Sequence, residues 1–239
     1  MNENGEAKTG KGICLSRLIT INDHLRLARL QKKEINFKIV VIGDVGVGKT
    51  SIIQRYTSAQ FSSTHKATLG ADFAVKTLEW DEVTRVNLHL WDVCGQARFG
   101  SLTSVFYRHT AAAVLVFDLT RPETYNNIVK WLKDLRQKVQ LPGGLRIPIV
   151  LFANKGDIST ETLPPQIDDF CKENDILYWF ITSAKSNIQI DEAMIKLANA
   201  AMRNHENLQV PLLTDDVIKL SEETVDSQTQ RNWKPCAFV

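Results

Sequence analysis

The chemistry of this chain starts at Gly43-Asp44-Val45-Gly46-Val47-Gly48-Lys49-Thr50, where a glycine is followed after four residues by Gly-Lys-Thr. That spacing makes a loop whose backbone N–H groups turn inward around a polyphosphate. Val45, Gly46, Val47, Gly48 and Ser51 belong to this cradle, Lys49 brings a point charge to the outer phosphates, and the Thr50 hydroxyl suits a magnesium ion. Downstream lies Asp92-Val93-Cys94-Gly95-Gln96. An aspartate at a strand end facing the loop can hold magnesium through water, the Gly95 N–H can meet a terminal phosphate, and Gln96 can orient an attacking water. In Asn154-Lys155-Gly156-Asp157, the Asp157 carboxylate can accept hydrogen bonds from the N1–H and exocyclic amine of guanine. Adenine has no donor at N1 and would leave that carboxylate unpaired. Ser183-Ala184-Lys185 can then offer a backbone N–H to the guanine carbonyl oxygen. Taken singly these are a Gly-rich turn, a strand end and two surface turns. Taken in this order they select GTP over ATP, which counts against a P-loop kinase or ATPase.

Such groups need a rigid frame, and the sequence between them alternates strand and helix. Phe37 to Ile42 is an apolar, β-branched run broken only by Lys38, as expected of a buried parallel strand leading into the loop. The helix after the loop aims its N-terminal dipole at the same anion. Ser58 to Ala67 reads as a polar connection and Ala71 to Trp80 as a strand. From Thr84 to Trp91, Val86, Leu88 and Leu90 alternate with Asn87 and His89, so His89 is expected to face solvent. Ala111 to Phe117 and Ile147 to Phe152 are continuous apolar runs that suit central strands. Glu123 to Val139 reads as one amphipathic helix closed by the turn Leu141-Pro142-Gly143-Gly144, and Pro164 and Pro165 are expected to open another. Leu177 to Thr182 is a last strand, and Ile190, Met194, Ile195, Ala198 and Met202 mark one face of a closing helix. The expectation is an α/β fold of the P-loop NTPase type, a six-stranded, mostly parallel sheet flanked by helices.

With 239 residues, one domain with appendages is expected: an extension over 1–35, a nucleotide-binding domain over 36–204 and a disordered tail over 205–239. A net charge of +2 gives no global field toward nucleic acid. Cys14, Cys94, Cys171 and Cys236 have no metal-ligand spacing, and no signal peptide is evident, so a reducing cytosol is expected. In the leader, Leu18, Ile21 and Leu25 sit at helical spacing beside Arg17, Arg26 and Arg29, compatible with an interfacial helix or with a frayed extension. The tail is acidic and ends Cys236-Ala237-Phe238-Val239, a match to the prenylation pattern on Cys236. A single chain beside an acidic tail is a weak anchor, so stable membrane residence would need a second contact.

The ordered set GDVGVGKT, Thr68, WDVCGQ, NKGD and SAK resembles the Ras superfamily of small GTPases over roughly Phe37 to Asn204. Thr68-Leu69-Gly70-Ala71-Asp72-Phe73 and Trp91-Asp92 narrow the resemblance to the Rab family. Ala71 to Trp80, the Leu-Pro-Gly-Gly turn and Ile190 to Met194 look most like its branch serving lysosome-related organelles such as melanosomes. The resemblance implies a small G domain that binds GTP or GDP with Mg²⁺. It also implies that Thr68 joins Thr50 and Asp92 around the magnesium, that Phe61 packs on the guanine, and that Phe73, Trp91 and Phe106 form an effector face. Implied partners are effectors of the GTP form, an exchange factor, a GTPase-activating protein, a dissociation inhibitor or escort protein and a prenyltransferase. The implied molecule is a monomer on the cytoplasmic face of intracellular membranes, with a cytosolic pool.

Five positions depart from that pattern. Cys94 replaces the usual Ala, Ala97 the usual Glu, His65 a common Tyr and Phe106 a usual Tyr, while Val45 adds a β-branched side chain over the loop. Two readings follow. The first is a trafficking switch in which Gln96 and Lys49 support slow GTP hydrolysis. The second is a GTP-locked scaffold, poor in hydrolysis, that recruits effectors to membranes because Val45 and Cys94 crowd the γ-phosphate.

Overall fold

The computed structural model describes residues 32–63, 67–96, 103–158, 163–164 and 166–209. The leader positions, His65, Ala97, Pro165 and the tail with Cys236 lie outside them. The first strand, β1 (Lys33–Gly43), starts earlier than the apolar run because Ile35 and Phe37 already bury one face. Helix α1 (Lys49–Ser58) follows the loop, then come β2 (Ala71–Glu79), β3 (Thr84–Val93), the short α2 (Thr103–Tyr107) and β4 (Thr110–Asp118). Helices α3 (Pro122–Asn126) and α4 (Ile128–Lys138) precede β5 (Ile149–Asn154), α5 (Ile167–Glu173), β6 (Tyr178–Ile181) and α6 (Ile190–Gln209).

The six strands lie in the order β2-β3-β1-β4-β5-β6, all pairs parallel except β2 with β3. The chain therefore leaves β1 in opposite directions, to β3 on one side and β4 on the other. The crevice at the carboxyl end of that reversal is where open α/β sheets bind ligands. Gly43, Val93, Asp118 and Asn154 end β1, β3, β4 and β5. Alternate β1 side chains feed opposite cores. Ile35, Phe37, Ile39 and Val41 pack with residues of α1 and α6, and Val40 and Ile42 pack with residues of α4 and α5. Every β5 residue is buried, in keeping with a strand covered on both faces.

Several expectations change in detail. The Glu123 to Val139 helix is divided at Asn127, which ends α3 and starts α4. Helix α5 begins at Ile167, after Gln166 in a left-handed conformation (φ 63°). Ile195 is 50% exposed, because on α6 it lies about 100° round from Met194. The buried face there uses Ala193, Leu197 and Ala201 with Ile190, Met194, Ala198 and Met202. Ordered elements reach beyond 36–204 at both ends, since β1 starts at Lys33 and α6 runs to Gln209. Among the described residues, no helix is long and apolar enough to cross a membrane.

Candidate functional site

A cavity of about 730 Å³ opens at the carboxyl end of the sheet. Its lining joins Val45, Gly46, Gly48, Lys49, Thr50, Ser51, Cys94, Gly95 and Gln96 at one end to Phe61, Asn154, Lys155, Asp157, Ala184 and Lys185 at the other. Thr68 lines it as well. Val47 and Ser183 stand just behind. The Val47 side chain is wholly buried, and its carbonyl accepts from Asn154 Nδ2 at 2.8 Å, which ties the first loop to the turn after β5.

The loop geometry follows from its glycines. Gly48, at the N-cap of α1, has φ 99°, and a Cβ there would stand 2.4 Å from Asn154 Nδ2. Lys49 is almost fully buried, its Nζ donating to the carbonyls of Gly43 at 3.0 Å and Asp44 at 2.9 Å. Burial lowers its pKa, against the opposing pull of Asp92, Cys94 and Asp44. A buried cation at the mouth of a helix N-terminus is suited to an anion.

Thr50, Thr68 and Asp92 converge from three elements. Thr50 Oγ1 donates to Asp92 Oδ2 at 2.5 Å, Thr68 Oγ1 donates to the same oxygen at 3.1 Å, and the two hydroxyls are 3.1 Å apart. Asp92 is buried, and its Oδ1 has no hydrogen-bond partner among the described residues. Desolvation raises its pKa, countered by the Thr50 hydrogen bond and by Lys49. An unpartnered carboxylate oxygen beside two hydroxyls is a hard-oxygen set that fits Mg²⁺, which takes few protein ligands and completes its shell with water and phosphate. Gln96 Oε1 is likewise buried without a partner among the described residues.

At the other end, Ser183 Oγ donates to Asp157 Oδ1 at 2.6 Å, and Lys185 Nζ lies 3.9 Å from Asp157 Oδ2. Phe61 lines the cavity and packs on the core. Sequence motifs miss two residues here. Arg55 of α1 donates from Nε to Ala184 O at 2.8 Å and from a terminal guanidinium nitrogen to Lys185 O at 3.0 Å. The wholly buried Asp118 ends β4, and its Oδ2 lies 2.6 Å from Lys155 Nζ. Both are isolated charges in the sequence. Only a charge closing the apolar run of β4 hints at Asp118.

The three aromatics lie outside the cavity. Phe73 is 63% exposed and stacks on Trp91, with ring centroids 6.0 Å apart, and Lys38 Nζ sits 4.0 Å over the Trp91 ring. Phe106 is half-buried on α2 against the core that also receives Trp91. His89 is half-buried, with Nε2 3.2 Å from Asn36 Oδ1 on the polar face of β3.

Residues 38–203 match the Ras family. Human Ras-related protein Rab-32 is 46% identical over 202 residues, covering 84% of this chain and 90% of the relative. Ras-related protein Rab-32B of Dictyostelium discoideum is 42% identical, covering 78% and 72%. Human Ras-related protein Rab-7L1 is 42% identical, covering 84% and 97%. The chain belongs to the Ras family of small GTPases, among its Rab members. It is a GTP-hydrolysing switch of membrane traffic that binds GTP or GDP with Mg²⁺ and works with effectors, exchange factors, activating proteins and a dissociation inhibitor.

Proposed function

We propose that this cavity holds the guanine nucleotide across its full length and that the residues around it divide the work. Backbone N–H groups from Val45 to Ser51 and the Lys49 amine take up phosphate charge. Asp157 reads N1–H and the exocyclic amine of guanine, Asn154 and Lys155 shape that turn, Phe61 stacks on the base, and Ser183, Ala184 and Lys185 close it. Thr50, Thr68 and Asp92 hold the magnesium. Bound there, Mg²⁺ neutralises charge developing on the phosphates. Gln96 orients the attacking water, and Gly95 offers its N–H to the γ-phosphate. Chemistry of this kind is positioning plus electrostatics, so turnover without an activating protein is slow. GTP orders the Thr68 and Gly95-Gln96 segments, and hydrolysis releases them.

The observation that carries this reading is the meeting of Thr50, Thr68 and Asp92, distant in sequence, where both hydroxyls bond Asp92 Oδ2 and its Oδ1 has no partner among the described residues. Its test is single-turnover phosphate release from GTP-loaded protein beside Gln96→Leu. Release that slows at least tenfold in the variant supports it. Equal release from both proteins would remove Gln96 from the mechanism. No release from either protein, with GTP retained, would favour the scaffold.

The same reading extends to place and partners. The stacked pair Phe73 and Trp91, with Phe106 nearby, is the effector face, since exposed aromatics are typical binding anchors. Cys236 is the prenylation site, modified by a prenyltransferase, and gives a peripheral hold on endomembranes. Likeness to Rab-32 supports lysosome-related organelles as the destination. Lipid extraction and mass analysis of the C-terminal peptide, with Cys236→Ser as control, tests the anchor.

A further inference from the structure

Two consecutive residues of the phosphate loop are gripped from outside the cavity by the two ends of one short helix. Beyond the last residue of α3, Asn127 donates from Nδ2 to Asp44 Oδ2 at 2.7 Å. One turn further on, in α4, Trp131 donates from Nε1 to Asp44 Oδ1 at 2.8 Å. Lys130 Nζ donates to Asn127 Oδ1 at 2.8 Å, which fixes that amide with its N–H toward the loop. At the other end of α3, Arg121 donates to the Val45 carbonyl at 2.9 Å while its Nε pairs with the buried Asp118 at 2.9 Å. Asp44, Arg121, Asn127 and Trp131 do not line the cavity.

A carboxylate in a loop built to receive a polyphosphate is an electrostatic liability. Turned inward, Asp44 would repel the ligand and compete for Lys49, whose amine already contacts the Asp44 carbonyl. Both its oxygens instead face an indole and an amide on the far side of the loop. Its backbone is also the surface against which Gly95 lies, since a Cβ on Gly95 would stand 2.5 Å from the Asp44 carbonyl carbon.

We propose that Asn127, Trp131 and Arg121 are positioning residues that clamp the phosphate loop, holding the Asp44 charge away from the nucleotide. The clamp rests on the reading of the cavity as the nucleotide site. It gives the break between α3 and α4 a role: Asn127 interrupts the helix where its side chain is needed on the loop. Loosening the clamp speeds nucleotide loss and leaves base selection untouched, because Asp157 is at the other end of the cavity.

The test uses the full chain loaded with fluorescent GDP and chased with excess GDP. Trp131→Phe keeps the ring and removes the donor, and Asn127→Ala removes the other. Hydrogen bonds to a charged group are each worth enough for about a tenfold effect, so each variant releases GDP about tenfold faster than the parent. Asp44→Ala removes the charge that the clamp restrains, so adding Trp131→Phe to it changes release by less than about twofold. A merely structural tryptophan would not show that coupling. Parental release rates in both single variants, or an undiminished Trp131→Phe effect in the Asp44→Ala background, overturn the clamp. A parent that retains no guanine nucleotide overturns the cavity reading, and the clamp falls with it.

Discussion

Arg55 Nε donates to the Ala184 carbonyl at 2.8 Å, joining the helix that leaves the phosphate loop to the turn after β6 at the far end of the cavity. The same guanidinium reaches the Lys185 carbonyl at 3.0 Å and the Ala59 carbonyl at 2.6 Å. One side chain thus links the helix after the phosphate loop to the turn at the other end of the cavity. Arg55→Ala leaves three carbonyls to water and frees the turn. Charged hydrogen bonds to the protein contribute roughly 1.5–3 kcal/mol each, so the variant is expected to release GDP at least tenfold faster. Asp157, the proposed guanine reader, remains, so ATP is still expected to be rejected. Stopped-flow release of fluorescent GDP, with ATP as competitor, checks both; an unchanged rate would leave Arg55 a surface residue.

Arg55 also marks how far the sequence could be read. The sheet was legible because β4 and β5 are continuous apolar runs and β3 alternates cleanly, and those patterns follow from burial on two faces or one. The cavity lining was legible because each motif is a local string at a strand end. What joins the strings is not local. Arg55 with Ala184, Asp118 with Lys155, and Asp44 with Trp131 are pairs of ordinary residues far apart in sequence, and no spacing announces them. Ile195 was misplaced for a smaller reason, since one step of about 100° separates a buried position from an exposed one on α6.

Gly95, two residues past the end of β3, lies against the backbone of the phosphate loop. A Cβ there would meet the Asp44 carbonyl carbon and the Val45 nitrogen, each at 2.5 Å, and these are backbone atoms that cannot rotate away. Gly95→Ala is therefore expected to push the strand end off the loop and, on the proposed function, to take its N–H from the γ-phosphate. Single-turnover phosphate release is expected to fall more than tenfold while GDP still binds. Hydrolysis at the parental rate would show that the loop yields instead.

Removal of magnesium gives a third prediction. With no ion at the proposed site, Asp92 Oδ1, which has no partner among the described residues, would keep a buried charge unpartnered and the phosphates would lose their counter-charge. Chelation with excess EDTA is expected to speed GDP release at least tenfold in the parent. In Thr50→Ala, which would lack one of the proposed ligands, the acceleration is expected to shrink. Release independent of chelation in the parent would rule out the Thr50, Thr68 and Asp92 set.

Tyr56 separates stability from the switch. Its ring is buried in the core beside β1 and β3, and its hydroxyl has no hydrogen-bond partner among the described residues. Burial, with a smaller push from Asp191, raises its pKa from 10.0 to about 12. The folded protein holds the phenolic proton more tightly than the unfolded chain does. The resulting stability is full below about pH 10 and is lost as the pH climbs through 12. Tyr56→Phe keeps the packing and removes an unsatisfied hydroxyl, so at pH 7 its unfolding free energy is expected to match the parent's or exceed it by up to about 1 kcal/mol. Between pH 10 and 12 the parent should lose stability more steeply than the variant. Urea unfolding followed by circular dichroism across that range measures the difference. Parallel pH curves would mean that the phenol is solvated in the folded protein, and a variant destabilised at pH 7 would mean that the hydroxyl has a partner.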